Sequence, residues 1–140
     1  MSRQRCRFVA VFICSCLVAL SAALASSEIP PELVGTWDCA SFQAIKNGKP
    51  FGKILFKPGQ WTLILNADGT YLEKLPLKAQ LPSGDSHDVA GTYEVHKHDL
   101  KMKPANRGHD LKYDFKVEQD GKVLVLTDKN NGTILNANRE

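Results

Sequence analysis

The run nearest to a nucleophilic device is Gly84-Asp85-Ser86, followed directly by His87 and Asp88. A serine hydrolase needs hydroxyl, imidazole and carboxylate to converge from separate elements, with the serine held at a strained turn. Adjacent residues in one polar stretch point apart, so this run reads as a solvated loop. His96 and His98 flank Lys97 beside Asp99, and His109 precedes Asp110. Two histidines one residue apart on a strand share a face and could fill two of the four positions of a zinc site. The run Val95 to Asp99 also fits a hairpin tip, where polar side chains are ordinary. His96 and His98 therefore stand as a surface pair short of a metal set, and no cofactor is implied. No paired carboxylates and no complete catalytic constellation emerge, so the expectation is a protein that is not an enzyme.

Aromatic side chains are the other resource. Phe42, Trp61, Tyr71, Tyr93, Tyr113 and Phe115 recur along the chain, and such rings either fill a core or line a pocket for one small ligand. Which of the two they do depends on the elements that carry them.

The first 25 residues carry an address. Arg3, Arg5 and Arg7 form a positive stretch, Phe8 to Leu20 an apolar one, and Ala23-Leu24-Ala25 the small-x-small pattern that a signal peptidase reads. The apolar stretch is short for a bilayer span, which needs about 20 residues. Ile13-Cys14-Ser15-Cys16 loosely matches a lipid-attachment box but sits inside the apolar stretch. The expectation is a signal peptide over 1–25 and an exported domain over 26–140 that begins at Ser26, periplasmic or secreted, with no stable membrane span after cleavage. The three arginines account for the whole formal charge of +3. The remainder is neutral, which removes the basic balance of a nucleic-acid binder. Three of the four cysteines lie in the leader, so Cys39 remains alone. It is either a buried thiol or an interchain partner, and packing rather than a disulfide must stabilise the domain.

Beyond the leader, hydrophobicity alternates with period two. Leu111 to Glu118 alternates apolar and charged without an error, and Gly91 to His96 places Tyr93 and Val95 on one face. Trp61 to Leu65 and Val123 to Leu126 are continuous apolar runs, as expected of strands covered on both sides. Asp68-Gly69, Asp120-Gly121 and Asn131-Gly132 are hairpin signals. About eight strands follow, near 35–43, 60–66, 70–75, 89–96, 99–103, 110–118, 122–127 and 133–139. Short connections make neighbours antiparallel, and such a meander closes most economically into an up-and-down barrel, the last strand pairing with the first. Two connections are long, Gln43 to Gly59 and Pro76 to Asp88. The apolar content of the first, Phe51, Ile54, Leu55 and Phe56, suggests that it folds onto something.

Val34-Gly35-Thr36-Trp37, just after the turn at Pro30-Pro31, resembles the Gly-x-Trp signature of the lipocalins and the wider calycin group. Leu63 to Tyr71, Gly91 to Val95 and a last strand ending at Arg139 follow in the order of a bacterial lipocalin-like domain. The resemblance spans roughly residues 33 to 139. It implies that Trp37 packs under the closed end, with Arg139 laid across its ring in a cation–π contact worth about 1 kcal/mol. Several strands are short for that family, so the cup would be shallow. On this reading the protein is an exported binding module for a small apolar or amphipathic molecule. Phe42, Phe56, Trp61, Tyr71 and Tyr93 would line its pocket, with Phe51 and Ile54 as a lid. The alternative is a solid-cored envelope or secreted module whose surface meets another protein.

Overall fold

The structure is a computed structural model that describes residues 28–75 and 88–140. The proposed leader lies outside them, as does the Gly84-Asp85-Ser86-His87 run. Nine strands follow in chain order: β1 Gly35–Lys46, β2 Lys49–Leu55, β3 Thr62–Leu65, β4 Thr70–Lys74, β5 Val89–His96, β6 Asp99–Pro104, β7 Leu111–Glu118, β8 Val123–Asp128 and β9 Ile134–Arg139. All pairings are antiparallel. β3 to β9 form a meander, and β1 pairs with both β3 and β9, closing an eight-stranded barrel with β2 as an additional strand.

One face of each barrel strand supplies the core. Trp37, Cys39, Leu63, Leu65, Tyr71, Tyr93, Val95, Leu100, Met102, Leu124, Leu126 and Ala137 are all buried. The apolar runs Trp61–Leu65 and Val123–Leu126 are not covered on both sides. Leu63, Leu65, Leu124 and Leu126 point in, while Ile64, Val123 and Val125 remain half-exposed on the outer wall. A single-layer barrel has only one dry face, and here the outer valines and isoleucine serve strand propensity instead.

The connection Gln43 to Gly59 also departs from the sequence reading. It is not a folded-back loop: β1 continues to Lys46, Asn47 turns with φ 52° and Gly48 with φ 72°, and β2 returns beside it. Every residue of β2 is exposed. The pairing of β1 with β9 ends at Gln43, so Ala44 to Lys46 pair with β2 alone.

At one end of the barrel the turn before β1 acts as a plug. Leu33 is fully buried and its carbonyl accepts the indole N–H of Trp37 at 2.9 Å. The Arg139 guanidinium lies over the Trp37 ring, 4.4 Å from its centroid. It also donates to the carbonyls of Gly121 at 2.7 Å, Val34 at 2.9 Å and Glu32. Gly35 makes this possible. Its φ of 147° suits glycine, and a Cβ there would stand 2.8 Å from an Arg139 nitrogen.

Candidate functional site

The opposite end of the barrel is where a site forms. β1 carries an extra residue there: Cys39 pairs with Ala137 but Ser41 pairs with Asn136, leaving Ala40 as a bulge. The bulge shifts the alternation by one, so Phe42, out of phase with Trp37 and Cys39, faces Leu135 and turns into the barrel mouth. The same bulge frees the Ala40 carbonyl to accept the Phe56 amide at 3.0 Å.

Phe42, Trp61, Leu63, Met102, Tyr113, Leu126 and Leu135 line a mouth cavity of about 110 Å³, with Glu73, Asp128, Asn131 and Thr133 as its polar positions. Trp61 is its organising side chain. The ring of Phe42 lies 6.2 Å away and tilted, that of Phe56 lies 5.1 Å away edge-on, and the indole N–H donates to Glu73 Oε1 at 3.0 Å. An apolar cavity of about 150 Å³ holds a benzene ring, so this smaller one encloses only part of such a ring or a short hydrocarbon segment. A wider depression of about 440 Å³ lies on the plugged end, but Glu32, Lys97, Lys116 and Asp120 are exposed members of its wall. It offers little to hold an apolar molecule.

Glu73 sets the electrostatics of the mouth. Burial pushes its carboxyl above the usual range, against the opposing pull of the Trp61 hydrogen bond and the Arg107 charge. A raised carboxyl keeps its proton longer in the folded chain than in the unfolded one. Its contribution to stability therefore falls as pH rises from about 4, near the unfolded value, through the folded value. Glu73→Gln should flatten that fall while keeping an oxygen for Trp61. Melting temperatures recorded from acid to neutral pH check this, and a profile identical to the parent's would put the carboxyl in water.

Of the aromatic residues expected at a pocket, the structure brings together Phe42, Phe56 and Trp61. Tyr71 and Tyr93 do not belong to it. Both are buried in the packed interior, Tyr93 with its hydroxyl donating to the Asn66 carbonyl at 2.7 Å. The Tyr71 hydroxyl is buried with no hydrogen-bond partner among the described residues, and burial pushes its pKa up to about 12. Phe51 and Ile54 are no lid either. They are 71% and 55% exposed on β2, because that segment pairs along β1 instead of folding over the mouth. Glu73 is the side chain missed, and Tyr113, named among the rings but not among the expected pocket residues, joins the lining. Glu73 stands two residues from Tyr71 on the same inward phase of β4, a carboxylate on a buried face, and that signal was readable.

His96 and His98 lie exposed at the β5–β6 turn, where Lys97 has φ 56°. No group of three His, Cys, Asp or Glu among the described residues is placed to hold a metal ion. Cys39 is a free thiol, buried inside the barrel, and burial raises its pKa so that the unreactive protonated form prevails.

No helix among the described residues is long and apolar enough to cross a membrane. No family model matches the chain, and no curated protein matches it. Among solved structures it is similar to an uncharacterised protein from Bacteroides eggerthii, with a TM-score of 0.53 and 14% identity, over 76% of this chain and 98% of that one. A DUF4847 family protein from Bacteroides vulgatus aligns at a TM-score of 0.47 and 13% identity, over 83% of this chain and 95% of that one. The first likeness bears on fold alone, and the fold it supports is the antiparallel barrel.

Proposed function

We propose that this chain is an exported, lipocalin-like binding module that holds a small apolar or amphipathic molecule in the mouth of its barrel. The observation that carries the reading is the mouth cavity, with an apolar floor and the half-buried Glu73 carboxylate fixed by Trp61. Such a cavity desolvates part of a ring or a short chain, while Glu73 favours a ligand whose polar end donates hydrogen bonds or carries positive charge. The Gly35-x-Trp37 motif with Arg139 over the indole supports the lipocalin-like assignment. The described residues of the mouth form an apolar wall with one fixed carboxyl, which suits binding.

Native mass spectrometry of protein purified from its own exporting host tests both parts at once. The expected chain begins at Ser26 and carries a small co-purifying mass, and Trp61→Ala should release that mass while leaving the fold intact. A chain of full length would overturn export. A bare chain, together with no response of Trp61 fluorescence to small apolar amines, would favour the solid-cored interaction module, a reading that the small volume of the cavity also supports.

A further inference from the structure

The hairpin of β1 and β2 is the one part of the described surface where large apolar side chains stand in water. Phe51, Ile54 and Leu55 are 71%, 55% and 73% exposed within five residues of one strand. Scattered exposed leucines need no explanation, but three large apolar side chains exposed along one outer strand do. Around it Lys46, Lys49, Lys53 and Lys57 are all exposed. No Asp or Glu occurs between Asp38 and Asp68, so the hairpin carries four positive charges and none to offset them. The Lys46 ammonium sits 5.3 Å from the centre of the Phe51 ring, so charge and hydrocarbon share one surface.

We infer that this hairpin docks the protein on an anionic lipid bilayer. Lysines and apolar side chains in this mixture match the interfacial zone, where rings and branched chains enter the acyl boundary and ammonium groups reach the lipid phosphates. Ala44 to Lys46 pair with β2 alone, and β2, which carries all three apolar side chains, pairs with no described strand but β1. A bilayer yields to an exposed strand with apolar side chains on both faces, whereas a folded protein partner would need a matching groove. A second copy is disfavoured by charge, because it would set four lysines against four. Lysine on an outer strand is also a common guard against edge-to-edge pairing. Ile54 pairs with Phe42, a wall residue of the mouth, so docking would turn the cavity toward the lipid. The inference itself stands on the hairpin and needs no ligand in the cavity.

The test is co-sedimentation of the purified protein with vesicles of about one-third phosphatidylglycerol in phosphatidylcholine, against vesicles of phosphatidylcholine alone. Expected is binding to the anionic vesicles that weakens with salt and is at least about tenfold weaker on the neutral ones. Lys49→Gln with Lys53→Gln should weaken it about 30-fold, and Phe51→Ser with Leu55→Ser more than about tenfold. All four positions are exposed, so both variants should melt with the parent, which separates lost docking from lost fold. Equal binding to both vesicle types, no binding to either, or binding indifferent to these substitutions would overturn the inference. So would a concentration-dependent dimer, by analytical ultracentrifugation, that the same substitutions abolish.

Discussion

Trp37→Ala should cost about 3–5 kcal/mol in urea unfolding, the range for deleting a large buried aromatic. The indole is fully buried, its N–H satisfies the Leu33 carbonyl, and its face supports the Arg139 guanidinium. The lipocalin resemblance credits Arg139 with one cation–π contact. The structure adds three backbone carbonyls, so Arg139→Ala should cost more than that contact, about 2–3 kcal/mol. The two residues share one cluster, so the double substitution should cost less than the sum of the singles. Strictly additive costs would mean that the pair does not act as a unit. Because both residues lie at the plugged end, Arg139→Ala protein that still folds should keep whatever the mouth holds.

Gly91→Ala is the second large effect, and the smallest chemical change. Gly91 pairs with Tyr71 on one side and Pro104 on the other, on the inward phase of Tyr93 and Val95. A Cβ there would stand 2.2 Å from the Lys103 carbonyl oxygen and 2.7 Å from the Tyr71 ring. The first neighbour is backbone and cannot swing aside, so β5 and β6 would have to part. The expected loss is about 3 kcal/mol by thermal or urea unfolding, at the upper end for one added methyl group. A variant as stable as the parent would show that the two strands can relax at no cost. The Tyr71 ring occupies the space over the glycine, which is why it belongs to the core and not to a pocket.

How much of this was legible depended on whether a pattern was local. Eight of the nine strands announced themselves, because alternation in runs such as Leu111 to Glu118 directly reports a wet and a dry face. β2 did not. Its run Lys-Pro-Phe-Gly-Lys-Ile-Leu has a proline, a glycine and no dry face at all, so periodicity had nothing to register. The plugged end was readable through the lipocalin resemblance, which matches Trp37 and Arg139 to one close contact. The mouth was readable only in part. Phe42 and Trp61 could be named as rings, but which rings meet depends on the bulge at Ala40, a register event between residues almost a hundred positions apart. Tyr71 and Tyr93 have the same inward phase as a pocket residue would, and alternation cannot tell one level of a barrel from another. Glu73 shared that phase and was overlooked because charged residues are habitually assigned to the wet face.

The seam between β1 and β9 joins residues 37–43 to residues 134–139. Its final hydrogen bond runs from the Glu140 amide to the Thr36 carbonyl at 3.1 Å. A ribosome releases the chain in order, so while β9 is still in the exit tunnel the first strand has no partner on that side. The growing polypeptide is then an open sheet, without its plug arginine and with the core leucines of β8 unsealed. Closure also has to await the slowest kind of contact, one made between distant parts of the chain. The barrel therefore closes only once β9 has left the tunnel.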